Sequence, residues 1–151
     1  MAPYKHVIVG TDGSDTAADA VRHAGALAAA VGAELTIVTA FSQDPSTTRA
    51  AADAPAEVQR RISDAAGAEE RAAGGKRIAV EAGAPATSVH TYVEAGEPAA
   101  VVLDTAKVRN ADVIVVGSKG MTSAKRFVVG SVPNRISHHA PCDVIIVHTA
   151  P

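Results

Sequence analysis

Short strand-type runs alternate with longer helical segments along the chain, and this alternation limits the possible folds more than any other feature. The predicted strands are His6–Gly10, Leu35–Ala40, Ser88–Glu94, Asp112–Val116 and Cys142–His148. Most are nearly continuous runs of β-branched residues, as in strands buried on both faces of a parallel sheet. Ser88–Glu94 is more polar and alternates, which indicates an edge strand. The pattern predicts an α/β fold, a doubly wound five-stranded parallel sheet, built as one domain over residues 1–151.

The segments between the strands are rich in alanine and predict helices. They are Thr16–Val31, about Ala56–Ala82, Ala99–Arg109 and Val132–His139, with a polar, mobile loop predicted over Phe41–Pro55. Ser14 or Asp15 can cap the first helix, and Gly32 can end it. Pro98 suits the first turn of the third helix. Interior glycines weaken the second helix by roughly 1 kcal/mol each, which leaves a break near Gly74 open.

A glycine-containing loop follows the fourth strand. The strand ends at Val116, and the loop contains Gly117, Gly120 and the pair Gly130-Ser131. Gly117 and Gly120 can adopt positive φ and let a ligand approach the backbone closely. A helix that begins near Ser131 leaves its first N–H groups unpaired and carries about half a positive charge at that end. Strand, loop and helix N-terminus together predict an anion site, with phosphate as the first candidate.

The glycine spacing differs from two well-known phosphate-binding motifs. The Gly-Lys-Ser/Thr ending of a Walker A loop is absent, and the first turn lacks the G-x-G-x-x-G spacing of dinucleotide-binding proteins. An ordinary turn is the alternative interpretation of Gly117 and Gly120. Lys119, Lys125 and Arg126 flank the loop, where they neutralise phosphate or form solvated surface.

The turn after the first strand supplies a second candidate region. Gly10, Thr11 and Asp12 follow the buried run. A carboxylate at Asp12 would repel phosphate, so its partners are hydrogen-bond donors such as ribose hydroxyls, unless it closes the turn or caps the next helix. Doubly wound folds bind ligands at the carboxyl ends of the strands, where the strand order reverses. If the first and fourth strands are neighbours, this turn and the glycine loop face each other across one crevice.

Charge and composition exclude several classes of partner. The formal net charge is −2, so a protein that coats nucleic acid or an anionic membrane is not expected. No apolar run approaches the ~18 residues needed to span a membrane. Cys142 is the single cysteine, which rules out an internal disulfide and favours a reducing compartment. The sequence predicts a soluble, cytoplasmic protein.

The residues that could carry catalysis or bind a metal form no recognisable site. His138 and His139 are adjacent on a predicted helix and point about 100° apart, so they do not easily ligate one ion. Cys142 follows a proline at the start of an apolar strand. This position indicates a buried, unreactive thiol. No serine pairs recognisably with a histidine and an aspartate, and no carboxylate pair stands out for acid–base chemistry. The sequence indicates a binding site and no catalytic or metal site.

Four stretches of the chain match a known family. They are Tyr4–Ser14, Ala111–Gly120, Val129–Val132 and His139–Val144. The glycines and the serine of the loop have the spacing G-x2-G-x9-G-[S/T], which marks a nucleotide-binding branch. On these residues the chain resembles the universal stress protein family over nearly its whole length. The resemblance implies the strand order 3-2-1-4-5 of the adenine nucleotide alpha hydrolase-like fold.

The resemblance also implies a ligand and a set of contacts. The ligand is an adenine nucleotide, with ATP first, and Mg²⁺ could enter with ATP. By position, Asp12 would hold the ribose and the backbone around Ala40 would meet the adenine. The other implied contacts are Gly10, Thr11, Val116, Gly117, Ser118, Lys119, Gly120, Gly130, Ser131 and Val132. The family commonly dimerises through its last strand, which here is Val144–His148.

Two residues depart from the pattern of many ATP-binding members of this family. Gly10 stands where proline is common, and Lys119 stands where arginine is common. Lysine lacks the bidentate fork of arginine, which weakens the grip on a triphosphate, and Gly10 is expected to open space beside the ribose. Members with a similar first turn bind cyclic AMP, so cyclic AMP is the competing ligand.

The main hypothesis is a stress-response or signalling module that binds ATP. The alternatives are a sink or sensor for cyclic AMP, a slow ATPase, and an interaction protein whose pocket is vestigial.

Overall fold

The computed structural model describes residues 4–42, 65–118 and 131–149. The strands in these ranges are β1 His6–Gly10, β2 Glu34–Phe41, β3 Val89–Ala95, β4 Val113–Gly117 and β5 Asp143–Val147. They form one parallel sheet with the order β3-β2-β1-β4-β5. The predicted order and the edge position of β3 are confirmed. Each predicted strand end lies within one residue of the observed end, because continuous β-branched runs define strands sharply.

Four α-helices connect the strands in the described residues. They are α1 Asp15–Val31, α2 Ala65–Glu81, α3 Pro98–Val108 and α4 Ser131–His139, and a short 3₁₀-helix covers Ala86–Ser88. The ends of α1 follow the predicted chemistry. The Ser14 hydroxyl oxygen accepts a hydrogen bond from the Ala17 N–H at 3.2 Å, and Gly32 ends the helix in the left-handed region at φ 69°.

The second helix is continuous through Gly74, so the suspected break is absent. The part of the predicted helix before Ala65 lies outside the described residues. So does the predicted loop Phe41–Pro55 from residue 43 onward, while Phe41 itself ends β2. In the described parts of the chain, no helix has the length and apolar character needed to cross a membrane.

Helices α1 and α2 cover one face of the sheet, and α3 and α4 cover the other. Side chains alternate between the two faces along each strand. The buried strand residues on the α1 and α2 side are Val7, Val9, Leu35, Ile37, Val89, Val113, Val115 and Val147. Those on the α3 and α4 side are Ile8, Val38, Ile114 and Val116. This two-sided burial explains why the central strands are apolar at consecutive positions.

Polar residues hold the amino-terminal edge of the sheet. The Asp112 carboxylate accepts hydrogen bonds from the backbone N–H groups of Lys5 at 2.7 Å and His6 at 2.9 Å. These bonds lower the pKa of Asp112. The His6 ring is half-buried, with its Nε2 2.7 Å from the hydroxyl oxygen of the fully buried Thr36. Burial is the main reason that the pKa of His6 is lowered.

We expect His6 to make the stability of the protein depend on pH. Its folded pKa is below its unfolded value of about 6.5, so the unfolded chain binds more protons between the two values. The contribution of His6 to the free energy of unfolding should therefore decrease as the pH falls through about 6.5, and level off below its folded pKa. Arg109, Glu34 and His90 supply the neighbouring charges.

Urea denaturation at pH 7.5 and pH 5.5 measures this dependence. His6→Gln should reduce the difference between the two pH values, whereas His23→Gln, at an exposed position on α1, should leave it nearly unchanged. An undiminished pH dependence in His6→Gln would show that other groups cause it.

Candidate functional site

The carboxyl ends of β1 and β4 lie side by side at one edge of the sheet. The two strands pair in parallel, with Val9 opposite Val115. The strand order reverses here, because β2 continues on the far side of β1 and β5 on the far side of β4. We call this edge, with the turn Gly10–Ser14, Ala40, Val116–Ser118 and the start of α4 at Ser131, the carboxyl edge. It is where doubly wound folds bind their ligands.

The turn after β1 is fixed by its own hydrogen bonds. The Thr11 N–H donates to the Val38 carbonyl at 2.9 Å, and the Thr11 hydroxyl oxygen accepts from the Gly13 N–H at 3.1 Å. One carboxylate oxygen of Asp12 accepts from the Ser14 N–H at 2.9 Å. Asp12 therefore closes the turn, as one interpretation predicted. The turn also holds the Asp12 carboxylate at the carboxyl edge, where the alternative interpretation, an acceptor for ribose hydroxyls, needs it.

Gly13 is required by this turn for two reasons. Its φ is +82°, and a Cβ there would lie 2.9 Å from Cδ of Arg71 on α2. The stem of Arg71 thus packs directly against the turn backbone.

An apolar wall lies on the α3 and α4 side of the carboxyl edge. Ala40, Val116 and Val132 all belong to or pack against the buried cluster on that side. A Cβ built on Gly10 would lie 3.2 Å from a methyl group of Val102 on α3. Helix α3 therefore packs closely against Gly10 on this side, and the expectation that Gly10 opens space beside the ribose stays a prediction.

The end of β4 is tied to the end of β5. The Ser118 N–H donates to the Val147 carbonyl at 2.7 Å. The Ser118 hydroxyl oxygen accepts from the N–H of Thr149 at 3.1 Å. Thr149 is buried, and the sequence interpretation missed it because a threonine after the last strand has no distinctive signal. Its contact with Ser118 places the backbone that follows Gly117.

Helix α4 begins at the predicted Ser131, which is exposed at the carboxyl edge. Pro133 and Ile136 are the buried residues of this helix. The other predicted loop residues lie outside the described residues, and they are Lys119, Gly120, Lys125, Arg126 and Gly130. The described half of the predicted phosphate region thus consists of the end of β4 and the N-terminus of α4.

An ion pair that the sequence did not predict joins α3 to α4. The guanidinium of Arg135 donates to the carboxylate of Glu97. The same carboxylate caps α3, accepting hydrogen bonds from the N–H groups of Ala99 at 3.2 Å and Ala100 at 3.1 Å. The only sequence signal was an acidic residue before Pro98, which is a favourable position at a helix N-terminus.

A cavity of about 480 Å³ lies on the α1 and α2 side of the turn. Its lining combines the turn residues Thr11–Ser14 with Glu70, Arg71 and a run of small residues on α2 that includes Gly67, Gly74 and Gly75. Asp12 therefore borders both this cavity and the carboxyl edge.

Among the described residues, no group of three or more His, Cys, Asp or Glu side chains could hold a metal ion. Cys142 is half-buried and packs against the α3 and α4 side of the core. Burial, followed by the charge of Asp143, raises the pKa of its thiol. A raised pKa lowers the thiolate fraction and with it the reactivity.

Comparison with known proteins decides the family. The sequence matches the universal stress protein family over residues 3–148. The chain belongs to this family. A Staphylococcus aureus (strain USA300) protein assigned to the universal stress proteins is 35% identical over 150 residues, covering 99% of this chain and 87% of that protein.

Solved structures of universal stress proteins share the fold. The Lactobacillus plantarum protein UspA has 26% sequence identity and a TM-score of 0.75, covering 95% of this chain and 97% of that one. A universal stress protein in complex with cAMP has 31% identity and a TM-score of 0.70, covering 97% and 98%. The sheet order and helix arrangement match the adenine nucleotide alpha hydrolase-like fold, so the fold implied by the resemblance is confirmed.

Proposed function

We propose that this universal stress protein binds an adenine nucleotide at the carboxyl edge, with ATP as the first ligand. The observation that carries the proposal is the meeting of the Asp12 turn, the end of β4 and the N-terminus of α4 beside one strand-order reversal. A carboxylate suits ribose hydroxyls, and a helix N-terminus suits phosphate. A nucleotide carries its ribose and its phosphates side by side, so its site needs an acceptor for the ribose hydroxyls next to N–H donors for the phosphates.

Each described residue then has a role. Asp12 accepts from the ribose, and the backbone at Ala40 meets the adenine edge. Gly10, Thr11 and Val116 border the sugar or base. The phosphate contacts are Gly117, Ser118, Ser131 and Val132, with Lys119, Gly120 and Gly130 proposed from the sequence alone. Mg²⁺ would arrive with ATP.

Cyclic AMP is the second candidate ligand. It is favoured by the 31% identical universal stress protein that was solved in complex with cAMP. It is also favoured by Lys119, which offers a point charge and lacks the planar fork that grips a triphosphate. In that case the protein is a sink or sensor for a second messenger.

The proposed biological role is a nucleotide-responsive stress or signalling module in the cytoplasm. We favour a binding role over catalysis because a carboxylate and a helix N-terminus suit the ribose and the phosphates of a nucleotide. Slow ATP hydrolysis is the enzymatic alternative, and it predicts ADP production that Gly117→Trp abolishes.

Calorimetric titration of nucleotide-stripped protein with ATP and, separately, with cyclic AMP tests the proposal. Gly117→Trp should remove the signal because an indole fills the phosphate region, and circular dichroism checks that this variant is folded. Tighter binding of ATP supports the first candidate, and tighter binding of cyclic AMP supports the second. No heat with either ligand at a concentration on the order of 1 mM contradicts nucleotide binding.

A homodimer through β5 is part of the proposal. This strand is at the sheet edge, and Ile146 is 40% exposed there. An apolar edge strand without a partner is an aggregation hazard, and pairing with a second copy removes it. Ile146→Lys should convert the dimer to a monomer in light scattering after size exclusion. Val108→Lys is the matched control, since Val108 is 82% exposed on α3. A dimer that survives Ile146→Lys would contradict this interface.

A further inference from the structure

The ion pair between α3 and α4 stands at the carboxyl edge. Strand β3 runs toward this edge, and α3 follows it directly. Helix α4 ends shortly before β5, which starts at the opposite edge, so α4 also begins at the carboxyl edge. Glu97 is the N-cap residue of α3, and its carboxylate is fixed by two backbone N–H groups and by the guanidinium of Arg135. A negative charge and a positive charge, paired with each other, therefore lie at the same edge of the sheet as the proposed nucleotide site.

Arg135 stands one turn from the first residue of α4. Residues four positions apart share a helix face, with Cβ atoms about 5–6 Å apart, so Arg135 and Ser131 are neighbours. Helical side chains also lean toward the helix N-terminus. Arg135 is the single Lys or Arg in the sequence of α4. Its charge thus lies close to the N–H groups that are proposed to bind phosphate.

Glu97 offsets this charge. Both side chains are about half exposed, at 49% for Glu97 and 51% for Arg135. Their fields are therefore partly screened by water but reach the adjacent site. With Arg135 held by Glu97, the pair presents almost no net charge to a bound ligand. An unpaired Arg135 would instead attract a ligand more strongly the more negative charges the ligand's phosphates carry.

We propose that the Glu97–Arg135 ion pair sets the charge preference of the nucleotide site, restraining its affinity for polyphosphates relative to singly charged cyclic AMP. This inference rests on the proposed function of the carboxyl edge. It assigns a specificity role to two residues that are not among the proposed contacts of the base and the ribose. At a separation of about 10 Å in a water-like dielectric, one charge changes binding by about twofold for each ligand charge.

The test compares adenosine, cyclic AMP and ATP, which carry zero, one and several negative charges. Dissociation constants are measured by calorimetry at low salt without magnesium, for wild type, Glu97→Gln, Arg135→Gln and the double variant. Glu97→Gln should tighten ATP binding by about tenfold, tighten cyclic AMP binding by about twofold and leave adenosine unchanged. Arg135→Gln should weaken ATP binding most, cyclic AMP binding less and adenosine binding not at all. The double variant should have dissociation constants close to those of the wild type.

Two controls separate charge from structure. Arg22→Gln removes an arginine of the same kind, in an exposed ion pair with Asp19 on α1, and should leave the ligand preference unchanged. Glutamine at position 97 keeps one oxygen acceptor for the α3 N-terminus, and thermal melts report any loss of capping. Raising the salt concentration should shrink the differences between the ligands, because screening acts on charge alone.

The outcomes distinguish the inference from the proposed function. Equal changes for adenosine and ATP, or no change in either variant, would make the pair a structural brace and overturn the inference while nucleotide binding stands. A wild-type protein that binds none of the three ligands would overturn the proposed function, and the inference with it.

Discussion

Replacing Gly25 by alanine should destabilise the protein by about 1–3 kcal/mol, although alanine is the better helix former. Gly25 lies in the middle of α1 and is buried. A Cβ there would lie 2.8 Å from the carbonyl oxygen and 2.9 Å from the Cα of Ala79 on α2. These are backbone atoms, which cannot rotate away, so the two helices would have to separate. Loss of packing along their contact outweighs the gain of roughly 1 kcal/mol in helix propensity.

Gly74→Ala is the matched control on the partner helix. Among the described atoms within 4 Å, a Cβ on Gly74 would meet only the terminal nitrogen of Arg77, at 3.5 Å. This change should therefore stabilise the protein by about 0.5–1 kcal/mol. Urea denaturation of both variants measures the difference. If both substitutions stabilised the protein equally, the close approach of α1 and α2 at Gly25 would be wrong.

Ile136→Ala should cost about 2–5 kcal/mol, the largest effect expected from a single truncation in α4. Ile136 is fully buried in the cluster on the α3 and α4 side of the sheet. Helix α4 has only nine residues, and helices of that length are not stable by themselves in water. Packing of this side chain therefore holds the helix N-terminus at the carboxyl edge. Nucleotide binding should weaken even at temperatures where the rest of the protein is folded.

Val108→Ala is the control for this truncation. Val108 is 82% exposed on α3, so its loss should change the free energy of unfolding by no more than about 0.5 kcal/mol. Chemical denaturation and nucleotide titration are measured on both variants. Unchanged nucleotide affinity in a destabilised Ile136→Ala protein would show that α4 does not contribute to the site.

Much of the fold could be predicted because its determinants are local. Consecutive β-branched residues define β1 and β4, and their burial on both faces produces that pattern. Ser14 and Gly32 mark the ends of α1 because capping needs only the residues beside the helix terminus. The polar alternation of β3 identified an edge strand, since only one side of it has a partner in the described sheet.

The unpredicted features all depend on contacts between residues far apart in the sequence. The absence of a side chain at Gly10 lets Val102 of α3 approach closely. No residue near Gly10 in the sequence indicates this contact. The bond between Ser118 and Thr149 spans 31 positions. The pair of Glu97 and Arg135 spans 38 positions. Sequence patterns identify the groups that a site needs, whereas the distances between those groups are decided by tertiary packing.

Backbone amide chemical shifts measured by NMR during titration with ATP locate the ligand on the protein. The largest changes are expected at Ala40, Gly117 and Ser131, which three separate segments bring to the carboxyl edge. Changes centred on Gly74 and Ile78, with those three amides unaffected, would place the ligand in the cavity between α1 and α2 and contradict the proposed site.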